Sequence, residues 1–486
     1  MIVIVSWMAL WTIWPSLCIG NVSIDVAENV AWGQNFDWGY DKNPYFGAWL
    51  SYALFRMLPI GVAEYFFYLM SQLAVATGLF AVYALARDIF SRRFPAFLIV
   101  PLAFLIPFFG HSSCEFNDDV LCIALYGLTA LFFYRGVRRN TPGMWIAAGI
   151  CAGLALMTKY LAGVLLLPLG LLLLLAPEGR ACWKKPWIYL GGAFFALLVI
   201  PNVIWLLRHD FIAIHYAFRR ADLQNAEPTL AANIELCLDV WMDFIERMIL
   251  PVLALLIFRR GKPIVHSGFD RAVVWVAALA PTLLSSLFAL VCGGNVLVSW
   301  TTPYYVFSTL WIVMLYRPVS GVRSIRIFAT FMAAAVLLMV LIFGYEFTYR
   351  RPYLKRSCPH NVFPGRRIAE AMTAEWRRSF GTPCPYVIGD RKTSCNMCYY
   401  SADHPEAFFD HDVRLSPWIS VDAVRRRGAV VIWRSDAPPE YLKPYPAHFK
   451  LPDLEYDREI PAWVRRLFKR RPAPVRVHAA IIPPAP

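Results

Sequence analysis

The sequence predicts an all-α polytopic membrane protein with about eleven transmembrane helices, followed by a small extracytoplasmic α/β domain. Three observations lead to this fold class. Hydrophobic residues make up 58% of the 486 residues and charged residues only 16%, against about 25% charged in an average soluble domain. The apolar residues form blocks of about 16 to 26, long enough to cross ~30 Å of hydrocarbon as helices. Near Thr348 the composition changes to a polar segment rich in Pro and Arg.

The apolar blocks are predicted to be helices because a membrane offers no water to satisfy backbone groups, and because the blocks lack the period-two alternation of barrel strands. The first block, Ile2 to Cys18, has no basic n-region and no clear cleavage site, so we interpret it as a span rather than a removable signal peptide. The predicted spans lie near residues 2–19, 61–86, 95–110, 118–134, 143–158, 160–176, 186–207, 241–258, 271–292, 300–316 and 326–346.

Basic residues cluster in alternate connections between the spans, and short loops of this kind stay on the cytoplasmic side. Five loops are therefore predicted to be cytoplasmic, with Arg87, Arg92, Arg93, Arg135, Arg138, Arg139, Arg180, Lys184, Lys185, Arg259, Arg260, Lys262, Arg317, Arg323 and Arg326. The other connections are predicted to face outward, with Asp25, Glu28, Asp37, Asp41, Glu115, Asp118, Asp119, Asp222 and Glu227. Because the connections alternate between the two sides of the membrane, the tail after the last span is also predicted to lie outside. The net charge of +14 then reflects topology and contact with membrane lipids, not nucleic-acid binding.

The first outward connection, residues 20–60, is longer than a simple connection requires. Asp25 and Glu28 are three residues apart, so on a helix they would share one face, with Trp32 one turn further. We predict that this stretch and residues 43–57 form amphipathic helices on the membrane surface. The simpler alternative is that the two carboxylates only solvate an interfacial helix.

The same loop continues with Asp37-Trp38-Gly39-Tyr40-Asp41-Lys42-Asn43-Pro44, in which Gly39 and Pro44 indicate a turn. The turn carries a lysine among carboxylates. Lys42 is therefore a candidate to hold a phosphate group as a point charge.

The second outward loop ends with Asp118 and Asp119 at the start of an apolar block. Such residues can cap the helix and complement its dipole, or they can orient a sugar, bind a metal or deprotonate an acceptor hydroxyl. Lys159 separates two apolar blocks and is either an interfacial anchor or a functional cation. Arg219 and Arg220 are candidates for the phosphate of a lipid carrier or for anionic lipid headgroups.

These parts, in this order, resemble GT-C glycosyltransferases of the protein-mannosyltransferase and lipid A aminoarabinose-transferase type, in glycosyltransferase families 39 and 83. The resemblance covers roughly residues 1–345. It rests on Asp25-x-x-Glu28, on Gly39-Tyr40-Asp41-Lys42-Asn43-Pro44 leading into Trp49-Leu50, on Glu115-Phe116-Asn117-Asp118-Asp119, and on Gly153-Leu154-Ala155-Leu156-Met157-Thr158-Lys159.

Members of this family transfer a sugar from a polyprenyl or dolichyl phosphate with inversion, usually with a first-loop aspartate as base. The resemblance thus implies that Asp25 is the base, that Lys42 lies near the donor phosphate, and that Asp118 or Asp119 is the second-loop acidic position. Together with the patterns above, it predicts catalytic residues among Asp25, Glu28, Asp118 and Asp119, and donor-phosphate contacts from Lys42, Lys159, Arg219 and Arg220.

We therefore predict a transferase in a bacterial inner membrane that glycosylates an envelope glycolipid or glycan on the periplasmic side. No cofactor is required and no metal site is predicted, although a divalent cation at the carboxylates stays open. The alternatives are a transporter or flippase of lipid-linked sugars and a non-catalytic lipid-binding protein. A transporter should show repeated halves with polar residues at the membrane midplane, which the sequence lacks.

The tail is predicted as a soluble periplasmic domain over residues 348–470, after a membrane module over residues 1–347. Gly365 to Phe380 reads as an amphipathic helix, and Tyr386 to Asp390 and Ala429 to Trp433 read as buried strands. A structural disulfide is expected among Cys358, Cys384, Cys395 and Cys398, with three possible pairings. Residues 471–486 are predicted to be disordered.

Overall fold

The structure, a computed structural model, describes residues 2–90, 93–222, 229–262, 266–445 and 447–485. Arg92 and Glu227 of the predicted loops lie outside these ranges. The described chain is mostly helical, with strands concentrated beyond residue 385.

The α-helices before residue 350 are α1 (Ile2–Cys18), α2 (Ile24–Gly33), α3 (Phe46–Arg56), α4 (Ile60–Ile89), α5 (Arg93–Ala103), α6 (Asp118–Arg139), α7 (Pro142–Thr158), α8 (Gly163–Leu175), α9 (Pro177–Cys182), α10 (Pro186–Arg208), α11 (Ile212–Arg220), α12 (Leu230–Leu255), α13 (Gly268–Cys292), α14 (Ser308–Tyr316) and α15 (Val322–Tyr345). Those that follow are α16 (Gly365–Phe380), α17 (Arg391–Tyr400), α18 (Val421–Arg427) and α19 (Ala462–Phe468). Single 3₁₀ turns and a ten-residue 3₁₀ helix, Val298–Phe307, connect several of them, and α15 continues with π-helical hydrogen bonding over Glu346–Leu354.

Within the described residues, five helices are long and apolar enough to cross a membrane: Ile60–Ile89, Asp118–Arg139, Pro186–Arg208, Gly268–Cys292 and Val322–Leu354. Shorter apolar helices occupy Ile2–Cys18, Arg93–Ala103, Pro142–Thr158 and Tyr160–Leu175. Each predicted span overlaps a helix, but eleven crossings stay a prediction. The predicted span 95–110 is wrong as one helix, because α5 ends at Ala103 and 3₁₀ turns beginning at Pro107 follow. The first half of the predicted span 300–316 is 3₁₀ helix instead of α-helix.

The chain forms two compact units. Unit 1 consists of residues 1–11, 42–46 and 69–340, and unit 2 of residues 12–41, 47–68 and 341–486. The division differs from the boundary predicted at residue 347, because most of the first outer loop belongs with the C-terminal part of the chain.

In unit 1, loops predicted to share the cytoplasmic side contact one another. Arg135 Nε lies 2.6 Å from an Asp88 carboxylate oxygen, and an Arg138 guanidinium nitrogen lies 2.6 Å from Asp270 Oδ1. The loop at Arg259–Arg260 (β1) pairs antiparallel with Pro318–Val319 (β2). These contacts agree with the predicted alternation of the loops, which places all of these loops on one side of the membrane. Which side faces the cytoplasm stays a prediction.

Close backbone approaches at glycine fix the packing of the helices that end at the candidate site. A Cβ at Gly149 in α7 would collide with the backbone of Gly191 in α10. A Cβ at Gly127 in α6 would lie 2.7 Å from the carbonyl oxygen of Gly78 in α4. Small residues at such crossings let apolar helices approach closely and pack. The ends of α6 and α7 are thereby held in a defined register.

Unit 2 contains a sheet of β3 (Tyr386–Gly389), β4 (Glu406–Phe409), β5 (Ala429–Trp433), β6 (Phe449–Lys450), β7 (Leu454–Asp457) and β8 (Pro474–Ile482). The order is β4-β3-β5-β8-β6, and β7 also pairs with β8. Strands β3, β4 and β5 are parallel, whereas β8 runs antiparallel to its neighbours. The core beneath the sheet includes Ile388, Phe408, Val431 and Ala480, which are all fully buried.

Helix α16 has the predicted bounds, and β3 and β5 coincide with the two predicted strands within one residue. The prediction of disorder over residues 471–486 is wrong for Pro474–Ile482. Its Pro and Arg content suggested a solvated tail, but the alternating and then continuous apolar run from Val475 to Ile482 forms β8, whose residues beyond Val477 are all buried.

The predicted disulfide is also wrong for this structure, since none of the four tail cysteines is disulfide-bonded. Cys395 and Cys398 lie three apart on α17, where Cβ atoms are about 5–6 Å apart, beyond the 3.5–4.5 Å that a disulfide needs. The Sγ of Cys384 approaches the Tyr386 carbonyl oxygen at 3.5 Å, and that of Cys358 approaches the Pro359 carbonyl oxygen at 3.4 Å.

Candidate functional site

The N-terminus of α6 presents two adjacent carboxylates in unit 1. The cap of this helix is Asn117, whose side-chain oxygen accepts a 2.9 Å hydrogen bond from the Val120 amide. Neither Asp118 nor Asp119 is therefore the cap, but both lie in the first turn of α6, where a carboxylate complements the helix dipole. Because Asn117 satisfies the helix end, neither carboxylate is needed as the cap.

Asp119 is paired with Lys159. The Lys159 ammonium lies 2.6 Å from Asp119 Oδ1, and the two side chains are 16% and 14% exposed. Helices α6 and α7 are joined by residues 140 and 141 and run antiparallel, so the start of α6 meets the end of α7. The ammonium also lies 5.8 Å from the ring centre of Trp300, within reach of a cation–π contact. A lysine held between a carboxylate and a ring is a positioned cation, not a freely snorkelling anchor.

Asp118 contacts the turn that precedes α3. The side-chain amide of Asn43 donates a 2.6 Å hydrogen bond to Asp118 Oδ2. The neighbouring Lys42 has its ammonium 5.6 Å from the ring centre of Tyr216, on α11. Tyr45 donates a 3.0 Å hydrogen bond to the Leu198 carbonyl oxygen in α10, which fixes the turn to the helix bundle.

Unit 1 thus gathers Lys42, Asp118, Asp119 and Lys159 through contacts to a small set of side chains. Carboxylates can accept hydrogen bonds from sugar hydroxyls, and ammonium groups can bind phosphate oxygens. Arg219 and Arg220 end α11, one turn beyond Tyr216, and both side chains are exposed. The structure shows no contact of either arginine with the other four candidates, so their role stays a prediction.

In unit 2, Asp25 and Glu28 both lie on α2, as predicted, but in different surroundings. Asp25 is in the first turn and is exposed, whereas Glu28 is 4% exposed. The prediction of an amphipathic surface helix is wrong for α2, because all residues from Val26 to Gly33 are buried. One cause is α17 of the tail, which packs along this helix: the Val22 amide just before it donates a 2.9 Å hydrogen bond to Tyr400 Oη.

Glu28 belongs to a buried ion-pair cluster with Asp41 and Arg391. The guanidinium of Arg391 contacts Glu28 with one terminal nitrogen and Asp41 with the other. It lies 5.6 Å from the ring centre of Trp32 and 4.8 Å from that of Phe409. Burial alone would lower the pKa of Arg391, but the two carboxylates raise it above its usual value. Arg391 therefore stays charged beside both carboxylates.

This geometry separates the roles of the two first-loop acids. Glu28 is committed to a buried ion pair, which favours a positioning role. Asp25, which is exposed in the first turn of the same helix, is the better candidate for contact with a substrate. Arg391 could not be predicted from the sequence, because it is 363 residues from Glu28 and its immediate neighbours carry no motif. Among the described residues, no three His, Cys, Asp or Glu side chains gather as a metal site would require.

Two comparisons at the level of sequence give relatives. Residues 42–205 match a family described as dolichyl-phosphate-mannose-protein mannosyltransferase. This range includes Lys42, Asp118, Asp119 and Lys159. A lipid A galacturonosyltransferase of Rhizobium johnstonii, RgtD, is 24% identical over 324 residues. The match covers 65% of this chain and 65% of that relative.

Solved structures share the fold. ArnT from Cupriavidus metallidurans bound to undecaprenyl phosphate is similar with a TM-score of 0.61 at 14% identity, covering 99% of this chain and 97% of that chain. The apo state of the same protein gives a TM-score of 0.52 at 14% identity, covering 98% and 97%. At 14% identity this similarity establishes only the fold. The chemistry has to be argued from the side chains of this chain.

Proposed function

We propose that this chain, which shares the fold of ArnT, is a membrane glycosyltransferase of the GT-C type that acts on lipid A or a similar envelope glycolipid. The donor is a polyprenyl phosphate that carries the sugar, and transfer inverts the anomeric carbon. The reaction takes place at the periplasmic face of the bacterial inner membrane.

The observation that carries this proposal is the set of four charged residues in unit 1. The set comes from three separate stretches of sequence and consists of Lys42, Asp118, Asp119 and Lys159. The contact of Asn43 with Asp118 and that of Lys159 with Asp119 hold these stretches in one region. All four lie within the range matched by the mannosyltransferase family. Two ammonium groups and two carboxylates suit a substrate with a phosphate and several hydroxyls, which describes a lipid-phosphate sugar.

The chemistry requires one bond to form and one to break. An acceptor oxygen attacks the anomeric carbon from the face opposite the phosphate, and the bond from that carbon to the phosphate oxygen breaks. The electron pair leaves with the polyprenyl phosphate, where positive side chains stabilise the developing charge. Lys42 and Lys159 are the residues that we assign to this task.

The proton on an acceptor hydroxyl needs a base, and a positioned carboxylate contributes roughly 10²- to 10⁴-fold in rate. We assign this role to Asp25, because it is exposed whereas Glu28 is committed to Arg391. If the acceptor atom is a phosphate oxygen of lipid A, little base is required and Asp25 orients the acceptor. Asp118 and Asp119 then bind sugar hydroxyls.

The test is transfer by the purified protein in detergent, with polyprenyl phosphates carrying a hexose, a pentose or an amino sugar, and with lipid A as acceptor. Mass spectrometry of the lipid product identifies the transferred sugar by its added mass. We expect one donor to give product, and we expect Lys42→Met and Asp118→Asn each to lower kcat by at least about 10²-fold. Detergent micelles have no compartments, so a flippase would give no product.

Matched controls are Lys443→Met and Glu440→Gln, which remove the same charges at side chains 75% and 88% exposed in unit 2. Both controls should transfer at the unmodified rate. Normal transfer by Lys42→Met and Asp118→Asn would remove the site assignment. Absence of product with every donor, from a protein that is folded by its melting curve, would refute the proposed function.

A further inference from the structure

Unit 2 contains a cavity of about 730 Å³ at the ends of two apolar helices. Residues 16 to 21 at the end of α1 and Glu64, Tyr65 and Tyr68 near the start of α4 form one wall. The other wall comes from the start of α16 and from residues 459–466 around α19. Of the two apolar helices, α4 is long and apolar enough to span a membrane, and a spanning helix ends at the level of the lipid headgroups.

The lining of the cavity is positively charged. The lining contains four arginines and two glutamates, namely Arg366, Arg367, Arg465, Arg466, Glu64 and Glu459. Arg366 lies 2.8 Å from Glu64, and Arg367 lies 3.2 Å from Glu459, so two of the arginines are already paired. Arg465 and Arg466 are exposed and form no ion pair with the residues that the structure describes. Two guanidinium groups are thus available to a ligand.

Large apolar side chains flank these charges and remain exposed. Leu17 is 46% exposed, Tyr65 54% and Trp463 40%. Trp463 is held in place, because its indole nitrogen donates a 2.6 Å hydrogen bond to the Leu17 carbonyl oxygen. An aromatic ring fixed beside exposed arginines is typical of contact with the interfacial region of a bilayer.

We propose that this cavity binds the phosphate-bearing headgroup of the glycolipid acceptor, with Arg465 and Arg466 contacting the phosphate oxygens. The identity of the lipid rests on the proposed function. Guanidinium groups match phosphate geometry with two parallel hydrogen bonds. The volume is in the range of sites for small-molecule ligands, ~300–1,000 Å³. The acyl chains of such a lipid remain in the bilayer beside Leu17 and Tyr65.

A phospholipid also carries a phosphate that these arginines could bind. The size of the cavity and its polar lining favour a sugar headgroup over the smaller headgroup of a phospholipid. Glu64 and Glu459 each retain acceptor capacity beyond their arginine partners, and Asn21 also lies in the lining. Carboxylate and amide oxygens accept hydrogen bonds from sugar hydroxyls. A phosphoglycerol headgroup would leave most of this polar surface without a partner.

The experiment measures binding to the full chain in detergent by native mass spectrometry, with three probes: bisphosphorylated lipid A, dephosphorylated lipid A and phosphatidylglycerol. The test variant is Arg465→Gln/Arg466→Gln, and the matched control is Arg425→Gln/Arg426→Gln on the exposed face of α18. We expect the test variant to bind bisphosphorylated lipid A roughly tenfold more weakly, since two charge-assisted phosphate contacts are lost. The control should bind it normally, and dephosphorylated lipid A should bind both equally.

Three results would overturn the proposal: unchanged binding of bisphosphorylated lipid A by the test variant, an equal loss in the control variant, or an equal loss for phosphatidylglycerol. The last result would identify the cavity as a general contact for anionic phospholipid. Since binding is measured without transfer, failure of the proposed function is a separate result, namely lipid A binding without any glycosylated product.

Discussion

Arg391 can be tested for how much it contributes to the stability of unit 2. Its side chain is 21% exposed, while those of its partners Glu28 and Asp41 are 6% and 3% exposed. Replacing it by alanine removes the guanidinium that contacts both buried carboxylates. Removing one partner of a buried ion pair typically costs about 3–5 kcal/mol, because the remaining charge stays desolvated. We therefore expect Arg391→Ala to be among the most destabilising single substitutions in unit 2.

The expected loss of about 3–5 kcal/mol can be converted to a change in melting temperature. For a cooperative unit of about 200 residues, 1 kcal/mol corresponds to roughly 2–4 °C, so Arg391→Ala should melt roughly 6–20 °C lower. The assay is differential scanning fluorimetry of the protein in detergent. Arg414→Ala is the control, because its ion pair with Asp412 is at the surface and the arginine is 79% exposed. The control should melt at the unmodified temperature.

The cause can be separated from loss of packing by adding Glu28→Gln and Asp41→Asn to Arg391→Ala. If unpaired charge is responsible, the triple variant should regain much of the lost stability. Without Arg391, burial should also raise the pKa of both carboxyl groups above their values in the unfolded chain. The folded variant then binds more protons, so its stability should increase as the pH falls from neutral. A triple variant no more stable than Arg391→Ala, with no such pH dependence, would refute this account.

Three further predictions concern unit 2. Burial would raise the pKa of Asp390, but Arg434 and the Thr393 amide lower it below its usual 3.8. The ionised Asp390 carboxylate therefore stabilises the fold above pH 3.8, and this stabilisation is lost as the pH falls through the lowered pKa of the folded protein. Below pH 4, the melting temperature should therefore fall less in Asp390→Asn than in the unmodified protein. Deleting residues 474–486 should make unit 2 sensitive to limited proteolysis, whereas deleting residues 483–486 should not. Burial raises the pKa of the Cys384 thiol to about 12, so iodoacetamide at pH 8 should label Cys384 only after denaturation, as judged by peptide mass spectrometry, and labelling of the native protein would contradict its burial.

Sequence patterns predicted those parts of the fold that depend on local hydrophobicity. The apolar blocks placed the long helices, and the runs at Tyr386 and Ala429 placed two strands. The same reasoning failed at Pro474–Ile482, where flanking prolines and arginines masked a strand whose burial depends on partners far along the chain.

The candidate site was predictable to a similar extent. Asp119 and Lys159 were both singled out, and their ion pair follows from two antiparallel helices of similar length joined by a two-residue turn. The Arg391 cluster was not predictable, because it depends on how α17 packs against α2, across 363 residues. The cap by Asn117 was missed because its acidic neighbours are equally good capping residues.

The position of β8 has a consequence for biosynthesis. This strand lies between β5 and β6, yet the ribosome synthesises it after every other strand of the sheet. Until it emerges, β5 exposes an unpaired edge with an apolar surface, which is a hazard for aggregation. The sheet can therefore close only after residues 474–482 have been synthesised. We expect chaperones that shield nascent chains to influence the yield of this protein more than that of a protein whose central strands are made first.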